Sequence, residues 1–112
     1  MEESKSQTPQ EFFDIEAPSR FKPENAKGID VVAQINLSGM EGGSWIVTIK
    51  DQKISIVQGT SKSPTLTLKM SDSDFMDIIH KKLSAEKAFF TGRIQFNGNL
   101  AVALKLKDAG FL

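Results

Sequence analysis

The sequence predicts an α+β domain in which helices cover one face of a five-stranded sheet. Three observations carry this. Five short segments alternate apolar with mostly polar residues, so each gives one side of a strand to a core and the other to water. Further segments set apolar residues at helical spacing behind good capping residues. The chain has 112 residues and no cysteine, so one domain must be held by packing alone.

In chain order, residues 1–7 (MEESKSQ) read as a disordered tail and 8–112 as the domain. A helix starts at TPQE: Thr8 suits the cap, Pro9 the first helical position, and Glu11 completes a capping box. It carries Phe12, Phe13 and Ile15 and is expected to end before Pro18. PENAKG, from Pro23, reads as one further turn stopped by Gly28.

The strands follow. Ile29, Val31, Ala33, Ile35 and Leu37 alternate in the first, and GMEGG breaks it. Trp45, Val47 and Ile49 alternate in the second. Asp51-Gln52 makes a tight turn into a third strand with Ile54 and Ile56, giving an antiparallel meander. Leu66, Leu68 and Met70 mark a fourth strand, and Ile94 and Phe96 a fifth. A sheet wet on one face needs one cover on the other, and the helices are that cover.

Ser71 to Asp74 supplies a cap and acidic first-turn residues to a helix with Phe75, Met76, Ile78, Ile79 and Leu83 on its stripe. Ser84 caps a shorter helix bearing Ala85, Ala88 and Phe89, stopped by Gly92. Asn99 caps the last. On that helix Leu100, Leu104 and Phe111 share one face, while Val102, Leu106 and Ala109 share a second, nearly opposite one. A surface helix shows one apolar stripe; this one has two. Phe89-Phe90 and Phe12-Phe13 pose the same problem, because neighbouring helical residues point about 100° apart. Three arrangements absorb the excess: helices packing on each other as well as on the sheet, a homodimer, or an apolar tunnel filled by a lipid-like ligand.

Other chemistry finds no support in the residues. The net charge is zero and evenly mixed, which removes the electrostatic case for nucleic acid and for a polybasic membrane anchor. Neither a signal-peptide core nor a membrane-spanning apolar run is present, so a soluble, cytoplasmic protein is expected. His80, the one histidine, has no ligand set around it and reads as a surface residue. Asp72 and Asp74 suit a helix start, with Asp77 nearby. GMEGGS lacks the Gly-Lys-Ser/Thr ending of a phosphate loop. The serines at 61, 63, 71 and 73 have no triad partners. No catalytic residue, metal site or cofactor is expected.

The stretch from Asp74, DFMDIIHKKLSAEKAFFTGRIQFNGNLAVALKL, resembles the sterol carrier protein 2 (sterol-transfer) domain family. Ala88-Phe89-Phe90, Gly92-Arg93-Ile94, Gly98-Asn99 and Ala103-Leu104-Lys105-Leu106 carry the likeness. Upstream, Phe21, Pro23, Ala26, Gly39, Gly43 and Trp45 also fit. The resemblance implies a mostly antiparallel sheet with helices on one face and an apolar tunnel for sterols, fatty acids, fatty acyl-CoA or phospholipids. Phe75, Ile79, Phe89, Phe90, Ile94, Phe96, Leu100, Leu104 and Phe111 are the expected lining, set against the plainer reading that they pack the core. Trp45 is either lining or a core anchor.

The function so implied is non-enzymatic lipid binding and transfer between membranes, through transient membrane contact, with the C-terminal helix as lid. The alternative is an accessory module whose extra apolar face forms a homodimer or docks on a lipid-metabolising enzyme. Two departures from the family pattern stand out: glycine is common at Lys81, before Lys82-Leu83, and in the turn taken by Asp51-Gln52. The chain ends Gly-Phe-Leu, without a peroxisomal serine-lysine-leucine signal.

Overall fold

The computed structural model describes residues 5–109. The N-terminal helical segment, 9–20, has three pieces. Helix α1 (Pro9–Glu11) starts at Thr8, whose hydroxyl accepts from the Glu11 N–H at 3.1 Å. A π-helical turn, Phe12–Glu16, follows, and α2 (Ala17–Arg20) completes the segment. The sequence places the end of this helix before Pro18, yet it continues to Arg20. Proline cannot donate to the carbonyl four residues earlier, and its ring crowds that carbonyl. The wider π turn, closed by the Ala17 N–H on the Phe12 carbonyl, restarts the helix. Pro18 then falls in the first turn of α2, where no such bond is needed.

Ser6, before the first predicted structured residue, is buried. Its hydroxyl donates to Glu16 Oε1 at 2.7 Å, and its carbonyl lies 2.8 Å from His80 Nε2. A carbonyl only accepts, so that nitrogen carries the proton. His80 is half-buried and ties the segment before α1 to the end of a later helix.

After a 3₁₀ turn (Pro23–Asn25) come β1 (Val31–Ser38), β2 (Gly43–Lys50), β3 (Lys53–Gln58) and β4 (Leu66–Ser71). The fifth strand, β5 (Gln95–Gly98), is separated from them by two helices. The sheet order is β3-β2-β1-β4-β5. All neighbours are antiparallel except β1 and β4. Register lines up the apolar rows: Ile35 faces Trp45 on one side and Leu68 on the other, and Leu68 faces Phe96. The alternation seen in the sequence therefore becomes one continuous apolar face.

On the opposite face, Gln34 is buried. Its side-chain amide donates to the Gly59 carbonyl at 3.0 Å and accepts from the Ser61 N–H at 2.7 Å. Those bonds pin the loop that carries the chain from β3 back across to β4.

The predicted caps hold three helices. Ser71 accepts from the Asp74 N–H to start α3 (Asp72–Ile79). Ser84 accepts from the Lys87 N–H to start α4 (Ala85–Phe90). Asn99 accepts from Ala101 and Val102 to start α5 (Leu100–Asp108). Each cap satisfies amides that have no partner inside the helix.

The core is aromatic where the N-terminal segment meets β2 and α3. Phe13 stacks on Trp45 and Phe75, with centroids 4.6 and 5.3 Å apart, and Phe12 meets Phe75 edge-on at 5.3 Å. Both neighbouring phenylalanines are buried, because the π turn and α3 together cover both. Here the excess apolar surface is absorbed by helix packing on helix and sheet.

Candidate functional site

The second phenylalanine pair behaves differently. Phe89 and Phe90 leave the end of α4 exposed, and Phe90 is 82% accessible. They border a groove of about 390 Å³ between α4, α5 and the outer strands. Leu68 of β4 and Phe96 of β5, with Ile94 just before it, form the floor. Ala85, Glu86, Phe89 and Phe90 form one wall, and Leu100, Ala103, Leu104, Leu106 and Lys107 the other. Phe89 meets Phe96 edge-on at 6.3 Å, joining wall to floor.

The two apolar faces of the last helix differ in exposure, with Leu106 at the border between core and groove. Leu106 is 3% exposed and Ala109 is buried, so that face belongs to the core. Leu100 and Leu104 are each 52% exposed and line the groove. Leu100, Ala103, Leu104 and Lys107 follow helical spacing along one stripe. Beneath them the sheet supplies hydrocarbon, and above them nothing among the described residues closes the groove. Among the described residues, the expected tunnel is thus a trough open on one side.

Of the residues expected to line the site, Phe89, Phe90, Ile94, Phe96, Leu100 and Leu104 come together there. Trp45, Phe75 and Ile79 do not. They are buried in the core instead: Trp45 sits on β2, separated from β4 by β1, and Phe75 packs on the Phe12–Phe13 pair of the N-terminal segment. Phe111 lies outside the described residues. Sequence reasoning did not pick out Leu68, Ala85, Glu86, Ala103, Leu106 and Lys107 as lining. Ala103 and Lys107 extend the Leu100 stripe, so helical spacing could have found them. Leu68 could not be found, since its place depends on pairing with Phe96.

The groove holds two charged groups. Lys107 Nζ lies 3.0 Å from Glu86 Oε1, so an ion pair links α5 to α4. Both groups are largely exposed, and the pair contributes only a few tenths of a kcal/mol to stability, roughly. The far end of α5 is held more firmly. The Lys22 N–H donates to the Ala109 carbonyl at 2.8 Å, and Asn25 Nδ2 to the Asp108 carbonyl at 3.0 Å.

A second concavity, about 490 Å³, is larger. Asn36, Ser38, Lys69, Ser71, Asp74 and Arg93 line much of it, and Arg93 lies 3.6 Å from Asp74. Those side chains would have to lose water to an apolar ligand without replacement hydrogen bonds, so its size alone does not favour it over the groove. Asp72 accepts from the Glu41 and Ser73 amides, which is turn and helix-start work. Among the described residues no three His, Cys, Asp or Glu gather as a metal site. No helix among them is long and apolar enough to cross a membrane.

The model of the SCP-2 sterol transfer family matches residues 14–109. Peroxisomal multifunctional enzyme A of Dictyostelium discoideum is 37% identical over 89 residues, which is 72% of this chain and 20% of the relative. Sterol carrier protein 2 of Homo sapiens is 33% identical over 70 residues, 62% of this chain and 13% of the relative. The chain therefore spans a fifth or less of the curated relatives it matches. Among solved structures, palmitated SCP2L2 from Aedes aegypti superposes with a TM-score of 0.66 at 27% identity, covering 86% of this chain and 88% of that one.

Proposed function

The chain belongs to the SCP-2 sterol transfer family, and from that premise we propose that it binds lipid acyl chains in the α4–α5 groove without catalysing a reaction on them. The observation that carries this reading is the groove itself. Ten of its twelve lining residues are apolar, and several of them remain exposed to water. Each methylene withdrawn from water is worth roughly 0.8 kcal/mol, so a sixteen-carbon chain supplies on the order of 13 kcal/mol before ordering costs. Moving the same chain from a bilayer into an equally apolar groove is close to balanced, which suits transfer between membranes. The palmitated state of the Aedes aegypti relative supports an acyl occupant. We assign transient membrane contact to the open rim at Phe90 and Leu104, and a cytoplasmic setting to the protein.

Gating falls to the first turns of α5. Its last turn is tied to Lys22 and Asn25, so the helix opens about that end rather than detaching whole. A second reading has one observation in its favour: the Dictyostelium relative is a far longer enzyme. On that reading the rim docks on a partner domain or on a second copy. Native mass spectrometry of the purified protein, before and after incubation with palmitate, separates the two. Monomer carrying acyl mass supports the carrier. An empty dimer that takes up no palmitate overturns it in favour of the docking module.

A further inference from the structure

We propose that Lys107 is the head-group anchor of the groove and selects single-chain lipids ending in a carboxylate, with Glu86 as the internal group that the lipid displaces. This rests on the acyl-binding reading above and adds to it the polarity of the ligand and its direction in the site.

Lys107 is the one cation among the described residues that line the groove, and Glu86 the one anion. Glu86 sits at the start of α4 and Lys107 near the end of α5, and they meet at 3.0 Å. The pair marks one end of the trough, which leaves Phe90 and Leu100, the opposite ends of the same helices, at the other. A trough with one charged end and one hydrocarbon end fits an amphiphile in a single orientation. Its volume, about 390 Å³, is near the low end of the roughly 300–1,000 Å³ of small-molecule pockets, which suits one chain.

The sign of the head group follows from the surroundings. From residue 80 to 108 the chain carries Lys81, Lys82, Lys87, Lys105 and Lys107 against Glu86 and Asp108, while Arg93 is partnered by Asp74. The whole chain is neutral, so the segment that builds the groove walls carries a net positive charge, which favours an anion. An incoming carboxylate offers Lys107 the same charge-assisted bond that Glu86 offers. The exchange frees Glu86 to water, to which it is already largely exposed, and loosens the link between α4 and α5.

The test compares palmitate with 1-hexadecanol, which has the same chain and an uncharged head. Each competes with a neutral fluorescent hexadecyl probe on the full chain. Wild-type protein should prefer palmitate. Lys107→Gln should lower palmitate affinity roughly two- to fivefold and hexadecanol affinity distinctly less. Lys107→Arg should restore palmitate binding, and Glu86→Gln should strengthen it by removing the competitor. Uptake of both lipids with palmitate unaffected by Lys107→Gln overturns this anchor alone. So does equal weakening of both lipids. Wild-type protein that binds neither overturns the acyl-binding reading and the anchor with it.

Discussion

Phe13 lies against Trp45 with ring centroids 4.6 Å apart and planes 24° from parallel. Phe13 also stacks on Phe75, so one side chain from the π turn joins β2 to α3. Trp45 is the chain's one tryptophan and therefore reports on this contact. Its indole N–H is buried and finds no acceptor among the described residues. Burial and stacking on Phe13 make it a core residue.

Replacing Phe13 with alanine should cost about 3–5 kcal/mol, from lost transfer energy plus the cavity left between three aromatic neighbours. Urea unfolding followed by Trp45 fluorescence measures it, and native-state emission should also shift to the red. A loss under about 1 kcal/mol, within the scatter of exposed-site changes, would show that the cluster collapses around the gap.

Lys81 has φ +63. Its N–H donates to the Ile78 carbonyl, and the Lys82 N–H to the Asp77 carbonyl, which is the bond pattern that closes a helix through a left-handed residue. The end of α4 repeats it with Gly92, at φ +80. A non-glycine residue is strained there by roughly 1–2 kcal/mol, offset in part by glycine's greater freedom when unfolded. Lys81→Gly should therefore stabilise the domain by about 0.5–1 kcal/mol, a rise of a few degrees in Tm. Gly92→Ala is the mirror test. No atom lies within 4 Å of the added Cβ, so its cost, about 1 kcal/mol, is conformational alone. A neutral result for both would remove backbone strain as the reason.

The same pair of positions shows what the sequence made legible. Glycine as the usual residue at position 81 and in the 51–52 turn could be noted from the family resemblance, but the reason needed coordinates: Asp51 and Gln52 have φ +53 and +60, as a two-residue hairpin turn requires. Strand faces, caps and the two-sided last helix were all readable because alternation and capping are local. The site was readable only in part. Six of the ten expected lining residues gather at the groove, because α4, α5 and β5 are neighbours in sequence and stay neighbours in space. Phe75, Ile79 and Trp45 went elsewhere because apolar periodicity says that a side chain is buried and not against what. Pro18 misled for a related reason. It forbids a continued α-helix, and the chain inserts a π turn instead.

Gly98 pairs with Leu66 where β5 joins the sheet. Its φ is +132, and an added Cβ would sit 2.8 Å from Leu66 Cβ and 2.9 Å from the Thr65 carbonyl oxygen. Backbone cannot yield as a side-chain tip can. Gly98→Ala should cost about 2–3 kcal/mol and shift β5, which carries Phe96 on the groove floor. Thermal unfolding should show the loss, and competition with the hexadecyl probe should show weaker binding even at temperatures where the variant is folded. Unchanged probe affinity in the folded variant would mean that the floor is not set by this pairing.

The two ends of α5 should differ in mobility. Leu106 and Ala109 are in the core and the terminal carbonyls are held by Lys22 and Asn25, while Leu100 and Leu104 face an open groove. Deleting the helix would confuse a gate with a core, because Leu106 and Ala109 would leave with it. Hydrogen exchange avoids that. Amides of Ala103 and Leu104 should exchange roughly tenfold faster or more than those of Leu106 and Lys107, since local opening is cheap where few apolar contacts are broken. Palmitate should slow the first pair and leave the second nearly unchanged. Uniform protection along α5, with or without lipid, would remove the hinge from the C-terminal end and leave gating to α4.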